Sequence, residues 1–188
     1  MTLLHLIWLL QRLSEDHKKK VFTLRELSSL TGERPAVVGM TLIRAEKKKV
    51  VGRVKALWIN LMNPPDLSEV AFAMASPSYI SFESALYQRG ILSQSPRGSL
   101  TVATSGRPRR VTTPLGEIHF IHLKRDLLFG YDAGRVAYPE KAWLDLNYIR
   151  RRRGEGFPET WYVKTLNRKR LKEFARPFPP FCFRAILR

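Results

Sequence analysis

The chain is poor in cysteine, poor in acid and without a membrane-length apolar run, and each shortage removes a class of protein. Cys182 is the single cysteine in 188 residues. One cysteine excludes an intrachain disulfide and a cysteine-built metal centre, and it fits a reducing cytoplasm. Between Phe181 and Phe183, it reads as a small packed apolar residue rather than a nucleophile. The apolar run at residues 3–10, LLHLIWLL, is far short of the ~20 residues that cross a bilayer. It has no basic leader and no small-residue cleavage site after it, so a cytoplasmic location is expected. Leu3, Leu6, Ile7, Leu10 and Leu13 fall on one stripe, which predicts an amphipathic first helix.

Catalytic signatures are missing as well. There is no Ser-His-Asp set, no phosphate-binding glycine loop and no HExxH. His119 and His122 would point to opposite faces of a strand, a poor arrangement for a metal. Glu140 and Lys141 are adjacent, whereas a nuclease pair is separated by one residue. Asp126, Asp132 and Asp145 show no paired spacing. No catalytic residue, metal ligand or cofactor is expected.

What the chain has is positive charge. Lys and Arg number 33 against 16 Asp and Glu, a formal net charge of +17. Residues 1–60 hold 12 basic and 5 acidic residues, leaving 21 and 11 for the remainder, so the halves carry +7 and +10. A surplus spread over both halves favours polyanionic partners, above all nucleic acid.

Residues 23–60 place the charge on a pattern. Thr23 with Glu26 three residues later has capping-box spacing before a short helix carrying Leu24, Leu27 and Leu30. Gly32 permits the left-handed conformation that ends that helix, and Pro35 suits the start of the next. The next helix, residues 35–48, should pack Val38, Leu42 and Ala45 inward. Val37, Thr41, Arg44 and Lys48 follow one another at spacings of four, three and four, which predicts an opposite face. Residues 50–60 then read as a hairpin bearing Arg53 and Lys55, with Val21-Phe22 as a short earlier strand. This order is that of a winged helix-turn-helix, whose second helix enters the major groove of double-stranded DNA while the ribbon reaches the flanking backbone. Arg44 is the candidate for bidentate pairing with guanine, and Val37 and Thr41 for thymine methyls. Arg34, Lys47, Lys48, Arg53 and Lys55 complete the expected DNA-binding set.

Pro64-Pro65 marks the expected boundary: a DNA-binding domain over residues 1–62 and a mixed α/β domain over residues 67–188, together an α+β protein. In the second domain, helices are expected at residues 67–75, 81–90, 139–152 and 164–175, and strands at 100–105 and 117–123. Arg107, Arg109 and Arg110 form a proline-stiffened basic cluster, a candidate second polyanion site. Arg150–Arg153 end a helix, where cations complement the macrodipole without any ligand.

Four stretches, taken in order, resemble the AbiEi family of antitoxins from type IV toxin–antitoxin (abortive infection) systems: YISFESALYQRGIL (79–92), TSGRPRRVTTPLG (104–116), LFGY (128–131) and VAYPEKAWLDLNY (136–148). The resemblance implies a cytoplasmic repressor that binds operator repeats in its own promoter. It also implies a C-terminal antitoxin domain that neutralises a nucleotidyltransferase-type toxin without a stable complex. The family hairpin usually turns on glycine in an Arg-Gly-Val-Tyr pattern; here the residues are Lys55-Ala56-Leu57-Trp58, so a different wing turn is expected. A DNA-binding regulator with no toxin partner and a nucleic-acid-processing enzyme stand as alternatives.

Overall fold

The computed structural model describes residues 1–94, 98–156 and 165–183. It is a mixed α+β protein in two compact units: Met1–Met74 with Thr112–Gly116, and Ala75–Val111 with Glu117–Arg188.

The first unit runs α1 (Leu3–Asp16), β1 (Val21–Thr23), α2 (Leu24–Thr31), α3 (Pro35–Lys47), β2 (Val51–Val54), β3 (Leu57–Asn60) and α4 (Leu67–Met74). The three strands form one sheet in the order β1-β3-β2, with both neighbours antiparallel to β3. The capping box forms as its spacing requires. Thr23 Oγ1 accepts from the Glu26 amide at 3.1 Å, and Glu26 Oε2 accepts from the Thr23 amide at 2.8 Å. Gly32 ends α2 at φ +69°, and Pro35 opens α3. Leu6, Leu10, Leu27, Val38, Leu42 and Ala45, all without solvent exposure, make the core beneath the helices, joined by Phe22, Val51 and Trp58 from the sheet. Leu30 is the exception to the expected apolar side of α2: it is exposed. Buried Asn60 anchors the chain leaving β3. Its Nδ2 donates to Ser14 Oγ at 2.9 Å, and its Oδ1 accepts from the Met62 amide at 3.0 Å.

The boundary expected at the proline pair is displaced. Helix α4 lies beyond it yet belongs to the first unit, because Val70 and Ala71 are fully buried and the helix packs on β1. Two prolines interrupt regular structure; they do not by themselves separate cores.

The second unit runs β4 (Ser78–Ile80), α5 (Phe82–Gln88), β5 (Ser99–Thr104), β6 (Arg109–Thr113), β7 (Gly116–His122), a 3-10 turn at Arg125–Leu127, α6 (Pro139–Arg152), α7 (Arg168–Ala175) and a second 3-10 turn at Pro180–Cys182. The tip of the β6–β7 hairpin, Thr112–Gly116, is the segment that clusters with the first unit. Strand order is β4-β5-β7-β6, with β4 antiparallel and β7 parallel to β5. Helix α5 packs on β5 and α6. Helix α6 is buried without a break from Glu140 to Tyr148. Strands β4 and β6 were not expected: each is short, and each abuts a proline that weakens the strand signal. The last helix starts at Arg168, capped by the Asn167 side chain, whose Oδ1 accepts from the Arg170 amide at 3.1 Å. Its expected first residue, Lys164, and residues 184–188 of the aromatic tail lie outside the described residues. Cys182 is buried as expected, and desolvation pushes its thiol up to about 12. Among the described residues, no helix is long and apolar enough to cross a membrane.

Candidate functional site

Helix α3 shows two faces. Val38, Leu42 and Ala45 point into the core as expected. Thr41 joins them, 3% exposed, with Oγ1 donating to the Val37 carbonyl at 3.0 Å. This corrects the expectation that Thr41 meets a base: the face drawn through Val37, Thr41, Arg44 and Lys48 lies too near the core, and Val37 is itself half-buried. The solvent face instead centres on Ala36, Met40, Ile43 and Lys47, again at spacings of four, three and four, with Arg44 on its flank. Met40 and Ile43 are 56% and 47% exposed. Sequence reasoning missed them. The signal was present, since two apolar residues opposite an established core stripe have no interior to fill.

The cations expected on this unit all reach solvent. Arg34 is exposed at the N-cap of α3, and Arg44, Lys47 and Lys48 are exposed over its last turn and C-cap. In the hairpin, Arg53 and Lys55 are exposed. The Arg53 guanidinium lies 5.5 Å from the Trp58 ring centre, and its Nε donates to the Lys55 carbonyl at 3.3 Å. The turn differs from a glycine turn in a specific way. Lys55, and not Ala56, takes the positive φ, +56°. A lysine there is strained, and its side chain stands at the hairpin tip.

In the second unit, three of the stretches quoted above converge on a buried polar node. The Lys141 ammonium donates to the Asp145 carboxylate one helical turn on, and to Tyr79 Oη at 2.7 Å. Asp145 Oδ2 also accepts from Tyr79 Oη at 2.8 Å and from Ser81 Oγ at 2.7 Å. The rings of Phe129, Phe178 and Tyr79 lie 4.9, 5.1 and 5.2 Å from the ammonium. Tyr131 stacks on Tyr79 at 4.7 Å. Burial governs all three ionisable groups: it lowers the Lys141 pKa, raises that of Asp145 against the pull of Lys141, and raises that of Tyr79, helped by Asp145. Gly130 closes the node. It sits at φ +72°, and a methyl added to it would come within 3.0 Å of Lys141 Cγ. Asp132 lies outside the node, accepting from Arg89 at 2.6 Å. Glu140 turns away from Lys141 and accepts from the Asn167 amide at 2.8 Å. Tyr79, Ser81, Lys141 and Asp145 are each at most 1% exposed, so the node is packed as part of the core. Among the described residues, no group of three or more His, Cys, Asp or Glu is placed to hold a metal.

The second basic cluster is divided. Arg109 and Arg110 line a cavity of about 380 Å³, and Arg107 does not. Arg150 and Arg153, which sequence reading assigned to the helix dipole, line the same cavity. So do Glu83, Glu155 and His119. The Arg109 guanidinium lies 4.3 Å from the centre of the Phe120 ring. Phe82, in the wall, is held at φ +57°.

The fold has a solved counterpart. It is similar to the crystal structure of the RV2827C protein from Mycobacterium tuberculosis, with a TM-score of 0.58 over 93% of this chain and 72% of that one. At 16% identity the likeness concerns the fold alone. No family model matches the chain, and no curated protein matches it.

Proposed function

We propose that the first unit is a winged helix-turn-helix and that the protein is a sequence-specific, double-stranded-DNA-binding transcriptional repressor acting in the cytoplasm. The observation that carries the reading is the solvent face of α3. Met40, Ile43, Arg44 and Lys47 share an exposed helix surface, in a unit whose element order (helix, strand, helix, helix, two-stranded ribbon) is that of winged helices. Arg44 supplies a planar fork for guanine, and Met40 and Ile43 replace Thr41 as apolar contacts for thymine methyls. Arg34, Lys47 and Lys48 meet phosphate along the groove, and Arg53 and Lys55 meet it from the wing.

The AbiEi resemblance extends the proposal to autoregulation of a toxin–antitoxin operon and neutralisation of a nucleotidyltransferase-type toxin. It is supported by the way three resembling stretches build one node, Tyr79 and Ser81 from the first, Phe129 and Gly130 from the third, Lys141 and Asp145 from the last. Residues that close a core together form a single folded module. Duplex binding measured against salt tests the DNA reading. Each phosphate contact adds ~0.9 to the magnitude of the log–log slope, and Lys48→Ala should reduce that slope with all sequences weakened alike. Duplex affinity indifferent to salt would refute it. Growth rescue against a neighbouring nucleotidyltransferase tests the antitoxin extension.

A further inference from the structure

The Arg109 cavity has a neighbour. A second cavity of about 360 Å³ shares Pro108, Ile121, Ile149 and Arg153 with it and adds Arg152 and His122. The two form one trough within the second unit, bounded by the β6–β7 hairpin and the C-terminal end of α6. Each chamber falls in the range of ligand pockets, roughly 300–1,000 Å³.

We propose that this trough binds an unpaired stretch of single-stranded nucleic acid, phosphates on its arginines and bases against its apolar floor. Charge selects an anion. In the first chamber Arg109, Arg110, Arg150 and Arg153 outnumber Glu83 and Glu155 by four to two. Glu155 already leans on Arg150 at 3.4 Å and on Arg153 at 4.0 Å, the position a phosphate would take over. Shape and polarity select a nucleotide over a bare anion. Ile121 and Ile149 form a floor common to both chambers, and Arg109 stacked on Phe120 is a guanidinium platform of the kind on which bases stack. A duplex buries its bases in its own stack and presents a convex backbone. Only an unpaired base reaches a floor at the bottom of a trough. RNA and DNA single strands share this chemistry.

This site is independent of α3, and the test separates them. Labelled single-stranded RNA and DNA of one mixed sequence, about ten nucleotides long to cover a site of this kind, and the matching DNA duplex are titrated with the full chain. The variants are Arg110→Ala/Arg153→Ala in the trough and Arg44→Ala/Lys48→Ala in α3. The trough pair should weaken single-strand binding tenfold or more and leave duplex binding within twofold. The α3 pair should do the reverse. An oligonucleotide with abasic sites should bind the wild type more weakly than its parent, because it lacks the stacking part. Ile149→Glu, placed on the floor, should reproduce the trough phenotype without removing a cation. Tighter binding of the RNA or the DNA strand identifies which of the two the trough takes. Equal single-strand affinity for wild type and trough variants, or displacement by polyglutamate as effective as by oligonucleotide, overturns the proposal.

Discussion

Lys141 and Asp145 are ion-paired one turn apart in α6, and neither side chain has any solvent exposure. An ion pair taken wholly out of water is held by its remaining hydrogen bonds, here from Tyr79 and Ser81 to Asp145. Removing one partner strands the other. Lys141→Met should therefore cost about 3–5 kcal/mol of stability, whereas Lys141→Met with Asp145→Leu should recover much of that loss. Chemical denaturation of both variants checks this. Full stability in the single variant would show that the pair contributes nothing.

Gly130 is required twice, by its positive φ and by Lys141 pressed against it. Gly130→Ala should destabilise the protein by about 1–3 kcal/mol, the usual cost of a residue held in a sparsely populated conformation. Gly154, at φ +76° with open space around it, carries the conformational part alone, so Gly154→Ala should cost less. Thermal melts of the two rank them.

Asp132 and Glu26 are among the carboxylates held low in the folded state, which predicts acid-sensitive folding. Backbone bonding from Val136, then Arg89, holds Asp132 below the usual range against some desolvation. For Glu26, partial burial pushes upward, but Lys19 and Thr23 outweigh it and the net shift is down. A carboxyl depressed in the folded state contributes stability above its unfolded pKa, about 4, and that contribution is lost as pH falls through the lower folded value. Stability should thus fall below about pH 4, and Asp132→Asn with Glu26→Gln should flatten the decline. An unchanged pH profile in the double variant would contradict this.

Thr41 faces the core and Met40 faces solvent, so substitutions at adjacent positions should separate stability from recognition. Thr41→Val should lower stability by about 1 kcal/mol through its lost hydrogen bond and leave duplex sequence preference unchanged. Met40→Ala should leave stability nearly intact and weaken the preferred duplex. Paired melts and binding curves check both.

Much of the first unit was legible because its signals are local. The cap at Thr23, the glycine at Gly32, the proline at Pro35 and the stripe through Val38, Leu42 and Ala45 each act within a turn or two of chain. The rotation of α3 was misjudged because four residues at helical spacing fit either side of a helix flank. Only packing decides that Thr41 turns inward. In the second unit, the ends of α6 were readable from Pro139 and Gly154, but its partners were not. The i,i+4 spacing of Lys141 and Asp145 was visible, yet burial, which turns a surface pair into a core node, depends on Tyr79 more than sixty positions away. Likewise Arg109 and Arg153 are distant in sequence, and only the fold places them around one cavity. Four arginines at a helix end have a sufficient local explanation, which hides a shared one.

The central claim is that α3 reads DNA sequence, and selection of bound duplexes from a random library by the full-length chain tests it most directly. The wild type should enrich a defined motif. Arg44→Ala should relax that motif at one base position, at a cost of about 1–3 kcal/mol against the preferred site. A folded wild type that enriches no motif, or an Arg44→Ala variant that enriches the same motif equally well, would contradict the account.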